Sequence, residues 1–213
     1  MRRHLSTLLP VLFLFLVLPE PCHAAEMDMK RIQEGVLDSI GIATHSLRTD
    51  LPILIKLFSV EGVNLGTGAE GGKKKRVKAA NEMVTIAPEM LLRSLEEKLR
   101  ESGPFMHILD PRTADLPQEY LIIEGRFLMI NPGSRAKRYW VGYSAGKSGV
   151  KVAGTLKHSS GELLGDFVHM KHSGIGLFGG KYVKFLSDDV QDVGEDIGEF
   201  LVRWATGGDL EDD

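Results

Sequence analysis

Residues 121–171 read LIIEGRFLMINPGSRAKRYWVGYSAGKSGVKVAGTLKHSSGELLGDFVHMK, and this stretch decides the fold. Tyr120–Ile130 is a long apolar run that stops at the turn sequence Asn131-Pro132-Gly133. Ser148–Lys157 sets Val150, Val152, Ala153 and Leu156 among Lys151, Lys157 and small residues, the pattern of a half-buried strand. Ser159-Ser160-Gly161 turns the chain, and Leu164–Lys171 brings it back with Phe167 and Val168 in its interior.

Working outward, the C-terminal side gives the clearest helix. Leu186, Val190, Val193, Ile197, Leu201 and Trp204 recur at spacings of three and four, which places them on one face. Ser187 or Asp188 is positioned to cap it, and Gly207-Gly208 to end it. On the N-terminal side, Pro88–Ser102 predicts a second helix, with Pro88 at its start and Gly103-Pro104 as its stop. Leu51–Val60 reads as a buried strand, Phe105–Leu109 as a short one, and residues 62–73 as a glycine-rich loop. Met29, Ile32, Val36 and Ile40 fall at helical spacing and predict a short amphipathic helix within residues 26–45. Helices interspersed with strands in this order predict an α/β or α+β domain, a mixed sheet packed by amphipathic helices.

The composition agrees. The chain has 213 residues, 43% of them apolar and 26% charged, which excludes collagen-like, coiled-coil and wholly disordered classes. Its single Cys excludes an internal disulfide and a thiolate metal cage.

Residues 1–24 have the layout of a secretory signal peptide. Arg2 and Arg3 precede the apolar run Leu8–Leu18, and Pro19 and Pro21 lead to Cys22-His23-Ala24, with cleavage expected after Ala24. The run is about half the roughly 20 residues that a membrane span needs. Glu20 and Pro21 ahead of Cys22 argue against a lipidated cysteine. The expected layout is therefore a signal peptide over 1–24, a helical extension over 25–50, one domain over 51–206 and an acidic tail over 207–213. Cleavage would remove the only Cys, and export to the periplasm or outer envelope follows as the expectation.

Several motifs imitate chemical sites. Gly142-Tyr-Ser-Ala-Gly146-Lys147-Ser148 is one residue short of a phosphate loop and precedes a strand pattern instead of a helix. Gly66–Gly71 and Gly174–Gly179 each fit G-x-G-x-x-G but lack the strand-to-helix setting that makes the pattern bind a dinucleotide. His169 and His172, three apart on a strand, face opposite sides and read as packed or solvent-facing residues, not as a shared metal site. Asp188, Asp192, Glu195 and Glu199 form an acidic stripe opposite the apolar one, a solvated helix face. No nucleophile, base and orienting acid converge, so catalytic, cofactor and metal residues are all expected to be none.

Charge is segregated. Between Gly125 and Gly161 there are seven cations and no acid, whereas ten acids face only Arg203 from Leu186 onward. The near-neutral total of −3 averages these two regions. Arg135, Lys137, Arg138, Tyr139, Trp140 and Lys147 mix cations with aromatics and form the candidate partner or anion-binding surface. The competing reading is that the acidic helix lies against the basic strands and the fields cancel. The run Lys73–Arg76 is expected in a mobile loop.

Residues 121–156, followed by HSGIGLFGG (172–180) and DDVQDVGEDIGEFL (188–201), resemble a bacterial envelope family known as domain of unknown function 4410. The resemblance implies an exported protein, often a lipoprotein, of Gram-negative bacteria. The order of elements is also similar to periplasmic domains of assembly proteins such as the curli secretion channel. These implications favour a non-enzymatic partner-binding or assembly module. Its partner would be an envelope protein or an anionic envelope polymer, not nucleic acid, with peripheral membrane association allowed. The alternatives are a soluble binder of an anionic ligand such as lipopolysaccharide or a cell-wall polymer, and a hydrolase built from dispersed side chains.

Overall fold

The structure is a computed structural model that describes residues 29–33, 35–44, 46–66, 73–105, 107–110, 115–133, 148–172 and 182–211. Its strands are β1 (Lys30–Gln33), β2 (Ser39–Ile42), β3 (Ile53–Ile55), β4 (Ile108–Leu109), β5 (Leu121–Asn131), β6 (Gly149–His158) and β7 (Leu163–Lys171). The helices are α1 (Lys73–Ser102) and α2 (Tyr182–Thr206). One seven-stranded sheet runs in the order β1-β2-β7-β6-β5-β3-β4. It is mixed, because β3 pairs in parallel with β4 and β5 while the other neighbours are antiparallel. The result is a single α+β domain.

The predicted core strands form β5, β6 and β7, with Gly161 at φ 94° in the turn between the last two. Their alternation resolves into two faces. Phe127, Val152 and His169 share a row under the helices, while their neighbours Arg126, Ala153 and Val168 share a row on the opposite face. Beneath the helices lies a run of rings. Phe127 meets Phe58 edge-on at 6.4 Å, Phe58 and Phe167 are 6.4 Å apart, Phe167 and Phe200 6.0 Å, and Phe200 and Trp204 5.4 Å. Gly125 and Gly154, paired across β5 and β6, provide the floor for these rings. A Cβ at Gly125 would lie 2.5 Å from Phe58, and one at Gly154 would overlap Phe167.

α2 carries the predicted stripe. Leu186, Val190, Val193, Ile197, Leu201 and Trp204 are all buried, and the Trp204 indole N–H donates to the Thr44 carbonyl at 3.0 Å. The helix ends in paired reverse bonds, Gly208 N–H to Arg203 O and Gly207 N–H to Trp204 O, with Gly207 at φ 72°. It begins earlier than expected, so Ser187 and Asp188 are not caps. The Ser187 hydroxyl donates to Val183 O one turn back, and Asp188 pairs with Lys184. α1 and α2 run side by side in the same direction, joined by Ser94 Oγ–H to Gln191 O (2.8 Å) and Lys98 to Glu199 (2.8 Å).

Three further expectations are corrected. The helical extension expected over 25–50 is corrected for its described residues: 30–33 and 39–42 are strands of the sheet, so the sheet begins before residue 51. The free edge of β7 accepts β2 at Ser39–Ile42, and burial of Ile32, Ile40 and Ile42 outweighs a helical spacing weakened by Gly35 and Gly41. α1 starts at Lys73 rather than Pro88, which lies inside it. Ala79, Ala80, Met83 and Ala87 extend its buried face upstream, and Ala and Lys favour helix, so the Lys run is a first turn and not a loop. Leu51–Val60 is a strand only over Ile53–Ile55, followed by a bridge from Ser59 to Arg126.

Candidate functional site

The elements place one end of the sheet apart from the rest. β5 and β7 finish there, β6 starts there, and α1 begins there, as the contact of Arg76 with Gly133 fixes. After β3 the chain follows β5 to the same end, with Asn64 N–H donating to Leu128 O and Ile130 N–H to Asn64 O. All three glycine-rich segments of the sequence analysis connect to described residues here, at Gly66, at Gly133 and Ser148, and at His172.

Each connection is anchored by polar groups. The Asn64 side-chain oxygen accepts from Gly66 N–H at 2.9 Å, and Asn131 does the same for Gly133 N–H at 2.9 Å. These are local turns closed by Asn side chains. Arg76 is turned inward and buried, and its guanidinium donates to Gly133 O at 3.0 Å. His172 Nδ1 donates to Ser148 O at 3.0 Å, and the missing Cβ of Gly149 leaves room for the ring. The predicted surface residues Arg135, Lys137, Arg138, Tyr139, Trp140 and Lys147 lie outside the described residues. So do most of Gly66–Gly71 and of the phosphate-loop imitation, and all of Gly174–Gly179.

Beside this end, β7 meets α2 and the β1–β2 turn in a charged cluster. His169 is buried, with Nε2 at 2.8 Å from Asp196 Oδ2 and Nδ1 at 3.3 Å from Asp38 Oδ2. Lys171 donates to the same Asp196 oxygen at 2.6 Å. Burial pushes Asp196 up, but hydrogen bonds from His169 and then Lys171 outweigh it and hold the carboxyl below the usual range. Burial lowers Lys171, yet the Asp196 bond and the nearby Asp192 and Glu195 carboxylates leave it raised. Burial is also the main cause of a raised Asp192. Among the described residues, no group of three or more His, Cys, Asp or Glu is arranged to hold a metal ion. His169 and His172 instead have separate partners.

The acidic helix and the basic strands do not neutralise one another among the described residues. Asp196, Glu199 and Asp188 of α2 take their cations from Lys171, from Lys98 and Arg203, and from Lys184. Arg126, Lys151 and Lys157 lie on the sheet face turned away from α2. There Lys157 and Lys56 clamp Glu124 at 2.6 and 2.8 Å, and Asp166 pairs with Arg31 across Gly41. Sequence reasoning missed Arg76, Asp38 and Asp196. Arg76 read as one of four equal cations, and Asp196 was not singled out.

The domain of unknown function DUF4410 matches residues 53–176, from β3 to just past β7. The chain belongs to that family. Solved structures similar to it include protein XCC0632 from Xanthomonas campestris, of family DUF330. That protein is 11% identical with a TM-score of 0.45, over 76% of this chain and 89% of that one. Another is the PelC dodecamer from Paraburkholderia phytofirmans, 11% identical with a TM-score of 0.38, over 74% of this chain and 96% of that one. No curated protein matches the chain.

Proposed function

We propose that this member of the DUF4410 family is a non-enzymatic, exported module of the Gram-negative cell envelope that binds a partner or takes part in assembly. The working surface is the loop end of the sheet, with Arg135, Lys137, Arg138, Tyr139, Trp140 and Lys147 as its contacts. The observation that carries this reading is the convergence of three glycine-rich connections on one end, each tied by a specific bond at Gly66, Gly133 or Ser148. A rigid sheet presenting loops at one end is the usual way a scaffold displays contact residues. Aromatic and Arg side chains are the residues that dominate such contacts.

The test is in-cell crosslinking from the loop end, comparing the native chain with Arg135→Glu/Lys137→Glu/Arg138→Glu. Loss of the crosslinked partner from a folded variant supports the reading, and unchanged capture overturns it. A second reading, a soluble binder of an anionic envelope polymer, is favoured by the cation excess of the sequence between Gly125 and Gly161. It predicts retention on polyanionic matrices that falls as salt rises.

A further inference from the structure

We infer that the solvent side of the first turns of α1 is a docking surface for an anionic phospholipid bilayer. Lys74, Lys75 and Lys78 are exposed and pair with no carboxylate among the described residues. Successive helical residues are rotated by about 100°, so Lys74, Val77, Lys78 and Asn81 form one stripe along the helix. Val77 is one of three large apolar side chains exposed among the described residues, at 36%. It stands between two lysines, and a stripe that joins cations to an accessible apolar group suits the headgroup boundary of a bilayer.

Two features show how the stripe is oriented and where it runs against local stability. Arg76, in the same first turn, points inward to Gly133 O, while Lys74, Lys75 and Lys78 face solvent. The first turn of α1 holds no acid, so its cations sit at the positive end of the helix dipole, where carboxylates would be favoured. The surface beside the stripe is an open groove lined by Lys74, Val77, Lys78, Asn81 and Glu82. It does not enclose a small anion. Three lysines against the one exposed carboxylate of Glu82 leave this open helix face net positive, complementary to a plane of phosphates.

The probe is co-sedimentation of the chain without residues 1–24 with two kinds of vesicle. One is phosphatidylcholine alone, and the other is equal parts phosphatidylcholine and phosphatidylglycerol. Preferential binding to the anionic vesicles, weakening as salt rises, is expected. Each lysine near such a surface contributes about 1 kcal/mol, so Lys74→Gln/Lys75→Gln/Lys78→Gln should weaken partitioning roughly hundredfold. A Glu series at the same positions guards against misfolding, because carboxylates at a helix start favour the fold. Its urea midpoint should match or exceed that of the native chain while binding is lost. Equal binding to both vesicles, or variants that bind as the native chain does, overturns the inference. Retention on a soluble polyanion without vesicle binding also overturns it, while leaving the polymer-binding reading intact.

Discussion

Replacement of Gly194 by Ala tests the packing of α2 on α1, because two effects of known size act in opposite directions. In a solvent-exposed helix the change would stabilise by about 1 kcal/mol through helix propensity. Gly194, however, is buried, and a Cβ there would lie 2.8 Å from Ser94 Cβ and 3.0 Å from Leu91 O. Neither neighbour can swing aside: one is main chain, and the other is held by its helix while its hydroxyl bonds Gln191 O at 2.8 Å. The helices must separate, and overpacking of this kind costs about 1–3 kcal/mol. Taking the upper part of that range and subtracting the propensity gain of about 1 kcal/mol, Gly194→Ala should destabilise by about 1–2 kcal/mol, and Gly194→Leu by more. With a urea slope of about 2 kcal/mol/M, the midpoint for Ala falls by roughly 0.5–1 M at constant slope. A midpoint for Gly194→Ala at or above the native value would refute the close approach.

Trp204→Phe removes the indole bond to Thr44 O and should cost about 1 kcal/mol in urea unfolding, the low end for an orphaned acceptor because Thr44 is half-buried. Glu124 is held at about 2, below its ordinary 4.5, first by the hydrogen bond from Lys157 and then by that from Lys56. Its stabilisation is therefore complete above about 4.5 and is lost as pH falls toward 2. With a third of the side chain in solvent, the contribution is about 1 kcal/mol, so the stability difference between native chain and Glu124→Gln should close over that window. Arg76→Met should raise amide exchange around Gly133 more than in the middle of β6, since it removes the hydrogen bond to Gly133 O.

What was legible in the sequence follows from how local each signal is. β5, β6, β7 and the apolar face of α2 were readable because alternation and helical spacing coincide there with burial. β1 and β2 were not, because β2 takes its strand state from pairing with β7, far away in sequence, as Ser39 opposite Val168 illustrates, and β1 then pairs with β2. Pro88 misled in the other direction. A proline read as a helix start is here accommodated inside a helix whose buried residues continue on both sides of it. For the site, the residue types at the loop end were visible, but the inward turn of Arg76 and the meeting of His169 with Asp38 and Asp196 are properties of the fold alone.

The matched segment 53–176 is smaller than the folding unit, and the consequence is measurable. It contains α1 and the strands from β3 to β7 but omits β1, β2 and all of α2. α2 supplies Leu186, Val190, Val193, Ile197, Phe200, Leu201 and Trp204 to the core, and without it Phe167 and the inner side of α1 would face water. Burying one such side chain contributes about 1.5–3 kcal/mol, so losing seven removes about 10–21 kcal/mol, comparable to or larger than the roughly 5–15 kcal/mol by which a domain is stable. The open edge of β7, which β2 covers, would also present unpaired backbone groups to a second chain. A chain cut to 53–176 should therefore show no near-ultraviolet circular dichroism signal and should self-associate, whereas residues 29–213 should give a cooperative urea transition. A cooperatively folding, monomeric 53–176 fragment would mean that α2 and the β1–β2 pair are additions to a self-sufficient domain.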